Sequence, residues 1–360
     1  MAGDFRIIDT GVREGRANIA FDAALIESRQ AQQVADTIRF LRFPPTALIG
    51  RHQDLSREVD LAYCRENDVG IVRRITGGGA IYLDEGQLGW ELVFHRKSLG
   101  IAALPDLAQE ICNAAALGLQ KLGVDAKFRP RNDIEVDGRK ISGTGGFFDG
   151  DVLIYQGTVL VDMNPEQMVR VLRVPEKKLA KRQLDSAAER IVTLKQLLGE
   201  STPDIGTIQK ALIEGFEEGL GIAAVPGEIS VREEDLARHH FDTEIGKDTF
   251  VADIDNPAAD GETSMGTYTG SGGTIDAFIK LEGPTNGILQ RVLLSGDFFV
   301  TPPRIVFDLE ASLAGTRLED IDGAIEAFFR DNEVGMLSVR PGDFKAAIAD
   351  AIGRREKQHA

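Results

Sequence analysis

Apolar residues recur at helical spacing between Ala17 and Gln32 (Ile19, Ala20, Ala23, Ala24, Ile26), and short apolar runs flank that segment, so the chain opens as strand, helix, strand. Phe5 to Asp9 predicts the first strand and the alternating Ile38 to Phe43 the next. Pro44-Pro45 interrupts, and strand character resumes at Ala47 to Gly50. Asp54 to Asn67 predicts a helix, and Gly70 to Val72, Ala80 to Tyr82 and Trp90 to Phe94 predict strands. The longest helix, Leu104 to Leu122, has Leu107, Ile111, Ala114 or Ala115 and Leu119 on its core side and Gly123 as its stop. Strands follow near Asp133 to Val136, Gly138 to Gly143 and Val152 to Val161; helices follow at Pro165 to Leu172, Val192 to Leu198, Asp204 to Leu220 and Glu233 to Phe241. The acidic, Pro- and Gly-punctuated stretch 253–261 then changes the texture of the chain. Beyond it come a hairpin (Gly273 to Leu281 and Gly287 to Ser295), a Gly296-Asp297-Phe298-Phe299 terminus, and helices at Ile305 to Leu313, Ile321 to Asn332 and Pro341 to Arg354. The expectation is an α+β protein with a first domain over 1–252, a linker over 253–261 and a small α+β domain over 262–360.

Composition narrows the partners. With 42% hydrophobic and 27% charged residues the chain is globular, and it has neither an eighteen-residue apolar run nor a signal-like start at Met1-Ala2-Gly3-Asp4. A cytoplasmic protein without membrane contact is expected. A net charge of −16 excludes non-specific nucleic-acid binding, which needs a basic face. The two cysteines, Cys64 and Cys112, fall on core-facing helical positions and make no metal-ligand pattern. His239 and His240 read as surface residues.

Two stretches carry candidate chemistry. Arg73-Arg74-Ile75-Thr76-Gly77-Gly78-Gly79-Ala80 sets three glycines beside two arginines, a composition suited to aiming backbone N–H groups and positive charge at an anion. Because strands flank it, it is neither a Walker loop nor a dinucleotide fingerprint, both of which open a helix. The plainer alternative is a glycine-rich hairpin with solvated arginines. The second stretch, Arg131-Asn132-Asp133 to Lys140-Ile141-Ser142-Gly143, contains a Val-Asp-Gly-Arg-Lys hairpin turn that throws Lys140 onto a strand.

In order and spacing these stretches resemble the biotin/lipoate protein ligase family, and lipoate-protein ligase within it. Asn18 to Asp22, Pro45 to Gln53, Gln156 to Leu160 and the Lys-rich Pro175 to Val192 resemble further family segments. The resemblance implies a class II-synthetase or biotin-ligase-like catalytic domain of mixed antiparallel sheets flanked by helices, followed by an accessory domain. It also implies activation of lipoate or octanoate by ATP to an acyl-adenylate, and transfer to a lysine of an apo lipoyl carrier, either a lipoyl domain or a glycine-cleavage-H-like protein. Carried over residue by residue, Lys140 is catalytic, standing between carboxylate and α-phosphate. Gly77, Gly78, Gly79, Ala80, Asn132, Asp133, Gly157, Thr158 and Lys178 would bind ATP or the adenylate, and Asp133 would hold Mg²⁺. Arg73, Arg74, Thr76, Leu83 and Gln87 would bind lipoate, with Trp90 and Phe147 or Phe148 as apolar walls of the acyl slot.

Leu83 stands where the family tends to carry a histidine, and Gln87 where it carries an asparagine, which leaves the acyl preference open. Three rivals remain. An octanoyl- or lipoyl-transferase of this fold needs a reactive thiol and no ATP. A biotin ligase usually shows Gly-Arg-Gly-Arg-x-Gly, absent here, and a catalytically idle carrier-binding protein would need none of these residues.

Overall fold

The computed structural model describes residues 4–100, 103–130, 132–173, 190–270, 272–283, 287–337 and 339–359. The chain forms two compact units. One comprises Met1–Leu48, Val59–Arg74 and Ile81–Val251, the other Ile49–Glu58, Ile75–Ala80 and Ala252–Ala360. The main break falls at residue 251, but the second unit also takes two stretches from the N-terminal half, including the three glycines. The 253–261 stretch is anchored within that unit: Ile254 is buried, its carbonyl accepts from the Leu55 N–H at 2.9 Å, and the Asp255 carboxylate accepts from the Ser56 N–H at 3.1 Å.

The first unit is built from β1 (Asp4–Val12), α1 (Gly15–Gln30), β2 (Asp36–Arg42), β3 (Thr46–Ile49), β4 (Gly70–Arg73), β5 (Ile81–Leu83), β6 (Gln87–His95), α2 (Leu104–Lys121), β7 (Lys127–Arg129), β8 (Asp133–Val136), β9 (Arg139–Asp149), β10 (Val152–Leu160), α3 (Ile205–Leu220), β11 (Ala223–Pro226) and α4 (Val231–His240), together with shorter helical turns. Its main sheet has eight strands in the order β11-β1-β2-β6-β10-β9-β8-β7, with β1 parallel to both neighbours and the remaining pairs antiparallel. Both faces are covered, which is why β6 is buried at eight of its nine positions. On one face lie α2 and α3, whose backbones meet directly: a Cβ on Gly215 would stand 2.4 Å from the Gly118 nitrogen. On the other lies α1, packed in turn against α4.

Several elements depart from the sequence pattern. The helix expected over Asp54 to Asn67 splits into Leu55–Glu58 and Leu61–Glu66, because Asp60 caps a new start by accepting the Tyr63 N–H and Val59 bridges to Leu172. Strands β4 and β5 do not form a hairpin around the glycines; they lie on opposite sides of β3. The Asp137-Gly138 turn does form as expected, with φ of 50° and 75°.

The second unit has an antiparallel sheet of β12 (Ser264–Gly270), β13 (Gly273–Glu282) and β14 (Ile288–Gly296), backed by α5 (Ile305–Leu313), α6 (Ile321–Asp331) and α7 (Pro341–His359). The pattern did not announce β12, and its Gly266 explains why: a Cβ there would strike the Ala351 nitrogen at 2.1 Å, so the position nearest the core carries no side chain. Phe298 sits in the core, stacked on His52 at 5.2 Å and edge-on to Phe344 at 5.3 Å. The glycine loop closes over it. A Cβ on Gly77 would stand 2.3 Å from the Phe298 oxygen, one on Gly78 would enter the Phe299 ring, and Gly78 has a φ of 90°.

Two acids make this unit sensitive to pH. Burial, with Asp297 nearby, pushes Glu58 up to about 7, and burial pushes Glu310 up to about 7, against an ordinary value of 4.5. Between those values the folded unit keeps protons that the unfolded chain releases, so these two groups make stability fall as pH rises through the window and stay level above it. Replacing both (Glu58→Gln, Glu310→Gln) is therefore expected to stabilise the unit at pH 8 by on the order of 1–3 kcal/mol and to change little at pH 4.5. Amide hydrogen exchange of β12 to β14 at the two pH values checks this.

Candidate active site

Lys140 owes its place to the β8–β9 hairpin. Its backbone is held on the side away from β8 as well: the Lys140 N–H donates to the Arg190 carbonyl at 2.8 Å, and its carbonyl accepts from the Val192 N–H at 2.9 Å. The register shifts by one residue between the Ile134–Ser142 and Glu135–Lys140 pairs, and the side chain turns back along the strand. There the ammonium meets the Asp133 carboxylate at 2.7 Å, with the lysine side chain 38% exposed. Gly143 makes this possible, since a Cβ at that position would lie 2.6 Å from the lysine Nζ. Arg129 adds a second cation 3.7 Å from Asp133. Asn132 braces the same corner: its amide donates to the Thr144 carbonyl, and its own carbonyl accepts from the Thr144 N–H at 3.0 Å and hydroxyl at 2.8 Å.

Magnesium bound by protein needs several oxygen ligands or shared phosphates, and Asp133 is one carboxylate placed between two cations. No group of three or more metal-ligating side chains occurs among the described residues. Asp133 is engaged with Lys140, and a metal held there would need the phosphates of ATP to complete its ligands.

The arginines separate into two roles. Arg73 is fully buried, and its guanidinium donates to the carbonyls of Phe250 at 3.1 Å and Val251 at 2.8 Å, which ties β4 to the helical turn at Asp248–Val251. Arg74 is 8% exposed and donates to the Leu48 carbonyl at 3.1 Å. Burial pushes it down to about 10, and the charge of Asp22 opposes that shift. Leu83 is buried in β5, and Gln87 is buried with its amide donating to the Tyr82 carbonyl at 3.2 Å. Thr76, Gly77, Gly78, Gly79 and Ala80 belong to the second unit. The Gly78 N–H, expected to serve a phosphate, donates to the Phe298 carbonyl at 3.0 Å. Lys178 lies outside the described residues.

Register assigns the rest to faces. Gly145, Gln156, Glu91 and Arg39 stand opposite one another across β9, β10, β6 and β2 and so share one face. Thr158, Gly89, Gln87 and Gly143 have the same parity, as does Asp133 opposite Gly143. The Lys140–Asp133 pair thus shares the face that α1 covers. Trp90 and Gly157 point the other way, where the indole fills the space a Gly157 Cβ would occupy and packs on Phe216 at 5.2 Å. Trp90 is core and does not wall a slot beside Lys140. Phe148 carries the Arg96 guanidinium over its ring at 4.6 Å.

The sequence reading missed a buried charge cluster on the Lys140 face. Arg39, wholly buried, donates to Asp22 at 2.7 Å, to Glu91 at 3.2 Å, to Asn18 at 2.7 Å and to Thr10 at 3.1 Å. Gln156 donates to Asp22 at 2.9 Å and to Glu91 at 3.0 Å. Burial, then the charge of Glu91, holds the Asp22 carboxyl well above the usual carboxylate range. The available signal was Arg39 and Glu91 inside otherwise apolar strands, which alternation alone assigns to a solvated face.

The thiols are closed off. Cys112 is buried, with its Sγ 3.3 Å from the Thr144 hydroxyl and 3.5 Å from that of Tyr155, and burial raises it; burial pushes Cys64 up to about 11.

Residues 14–217 match the model of the lipoyl protein ligase A/B catalytic domain, and the chain belongs to that family. It is an enzyme of the lipoate ligase and octanoyltransferase group. Among its relatives is an octanoyltransferase LipM of Kyrpidia tusciae, 29% identical over 65% of this chain and 93% of the relative. Its fold matches that of a bi-partite lipoate protein ligase from Thermoplasma acidophilum, solved in a study of the ligase and its E2 lipoyl domain, with a TM-score of 0.63 at 26% identity over 70% of this chain and 97% of that one. It also matches a lipoate-protein ligase A bound with ATP, with a TM-score of 0.60 at 25% identity over 70% of this chain and 99% of that one. The expected α+β fold with mixed sheets is therefore found. No described helix is long and apolar enough to cross a membrane.

Gly143→Ala tests the lysine's seat. The added methyl meets only the end of a flexible side chain, so the fold is expected to persist while the ammonium is displaced. A loss of about tenfold or more in carrier acylation, with an unchanged melting temperature, is the expected result, because misplacement by about 1 Å is costly in a positioned site.

Proposed function

We propose that this enzyme activates lipoate or octanoate with ATP and transfers the acyl group to a lysine of an apo lipoyl carrier. The observation that carries this reading is the Lys140 ammonium, seated over Gly143 and charge-paired with Asp133, in a chain whose two thiols are buried and hard to ionise. Attack of the acid's carboxylate oxygen on the α-phosphorus forms a new P–O bond and expels pyrophosphate. Two anions must meet for that step, and a fixed cation between them stabilises the developing charge more than the separate reactants. The carrier lysine, as its free amine, then attacks the acyl carbon; AMP leaves and the amine gives up a proton. No protein nucleophile is required. Asp133 orients the ammonium, and Arg74 is the arginine proposed to meet the acid. Thr158, and the backbone at Gly157, are proposed for the nucleotide. The solved relative bound with ATP supports the nucleotide, and the relative studied with its E2 lipoyl domain supports a lipoyl-domain carrier.

The octanoyltransferase relatives favour a second reading, in which the acyl group first rests on a cysteine thioester. That chemistry needs an accessible thiolate, and the buried state of Cys64 and Cys112 weighs against it.

Two variants separate the readings. Lys140→Ala is expected to lower acid-dependent pyrophosphate release from ATP by on the order of 10²–10³ without loss of fold. The Cys64→Ser, Cys112→Ser double variant is expected to keep ATP-dependent carrier modification, read by carrier mass. A hydroxylamine-sensitive acyl-enzyme that disappears in the double variant would establish the transferase instead.

A further inference from the structure

Strand β9 serves both faces of the sheet at neighbouring positions. Gly143 leaves the space into which Lys140 folds, and the next side chain, Thr144, points to the opposite face, where α2 brings Cys112 against it. There Thr144 ends a chain of buried hydrogen-bonding groups. Its hydroxyl lies 2.7 Å from that of Tyr155, and the Cys112 Sγ lies 3.3 Å from the Thr144 oxygen and 3.5 Å from the Tyr155 oxygen. Tyr155 and Cys112 are wholly buried and Thr144 is 7% exposed. Proton counting sets the direction of the chain. A hydroxyl donates one proton, and that of Thr144 goes to the Asn132 carbonyl at 2.8 Å, so the Tyr155 O–H donates to the Thr144 oxygen. Both oxygens beside Cys112 are then left as acceptors, and the row of donors runs toward Asn132.

The end of the chain links it to the chemistry. The Asn132 carbonyl belongs to the planar peptide unit that carries the Asp133 nitrogen, so two bonds from Thr144, from its N–H at 3.0 Å and from its hydroxyl, set the plane from which Asp133 starts. Asp133 in turn is the 2.7 Å partner of the Lys140 ammonium. The Tyr155 ring has little freedom to follow a shift, since it packs on Trp90 at 6.4 Å and a Cβ on Gly146 would lie 2.9 Å from it. Apolar groups of the same shape would fill this part of the core as well, whereas a fully paired polar chain specifies one arrangement. We propose that Thr144 and Tyr155 are positioning residues for the Lys140 ammonium, acting through the Asn132–Asp133 peptide from the far face of the sheet. This rests on the reading above that Lys140 stands between the reacting anions. Orientation of that cation matters most where the two anions are brought together, so the effect belongs in kcat rather than in the binding of ATP.

The test compares variants of the full chain in acid-dependent pyrophosphate release from ATP. Thr144→Val, close in shape but without the hydroxyl, is expected to lower kcat about tenfold and to change the KM for ATP by less than about twofold, because misplacement by about 1 Å is costly in a positioned site. Thr144→Ser keeps the donor and is expected to restore most of the rate. Thr144→Val also strands the Tyr155 hydroxyl and so lowers the melting temperature, which by itself discriminates nothing. The double variant Thr144→Val, Tyr155→Phe removes both partners and is expected to regain stability without regaining kcat. A crystal structure of Thr144→Val is expected to show the Lys140–Asp133 pair opened beyond about 4 Å, the limit of an ion pair. Wild-type kcat with an intact pair in Thr144→Val would overturn the proposal, as would a double variant whose rate returns with its melting temperature. A wild type that transfers octanoyl groups without ATP would refute the ligase reading, and the state of the ion pair in Thr144→Val would still decide the role of Thr144.

Discussion

An ammonium that must stand between two anions has to stay charged and stay still, and the β8–β9 hairpin meets both needs with few parts. Asp133 supplies the countercharge at 2.7 Å, the segment at Arg190 to Val192 clamps the lysine backbone, and Gly143 leaves the volume into which the side chain folds. Each contribution fails without the others. A side chain at Gly143 would evict the lysine, and without Asp133 the charge would lose its fixed partner. The rest of the first unit works outward from this corner: the Asn132–Thr144 bonds lock the hairpin to β9, and β9 carries the register on to β10 and β6, where the buried cluster lies.

Much of this corner was legible in the chain. An Asp-Gly pair between two β-patterned runs specifies a turn with positive φ at both positions, and the strand that follows must present Lys140, Ser142 and Thr144 in alternation apart from any bulge. The glycines at 77 to 79 were legible as a special loop, but the reason for them was not. Composition pointed to a ligand, whereas at Gly77 and Gly78 the space is taken by Phe298 and Phe299, more than two hundred positions away in the sequence. Local pattern holds no record of so distant a contact. The backbone bonds of Arg73 were hidden for a related reason, since an arginine bonded to backbone carbonyls looks the same in sequence as one waiting for an anion.

The charge cluster shows the limit of periodicity more sharply. In β2, Arg39 alternates with Ile38 and Phe40, and in β6 Glu91 alternates with Trp90 and Leu92; that pattern ordinarily marks a sheet with one wet face. Here α1 covers that face and brings Asp22 to meet both strands. A buried Arg–Asp–Glu set is recognisable only once three separate segments are known to converge, and then its cost makes it a candidate for function.

Electrostatics at long range and at short range point in opposite directions in this protein. With a net charge of −16 the mean field repels ATP and carboxylic acids alike, so any anion held near Lys140 is held by neighbours within a few ångströms. Lys140 and Arg129 are the cations of that corner, set against the carboxylates of Asp133 and Glu135. Arg74 faces the opposite balance, because burial already weakens its hold on its proton and Asp22 is the charge that restores it. An incoming carboxylate would strengthen that hold further, since a negative charge close to a buried guanidinium favours its charged form.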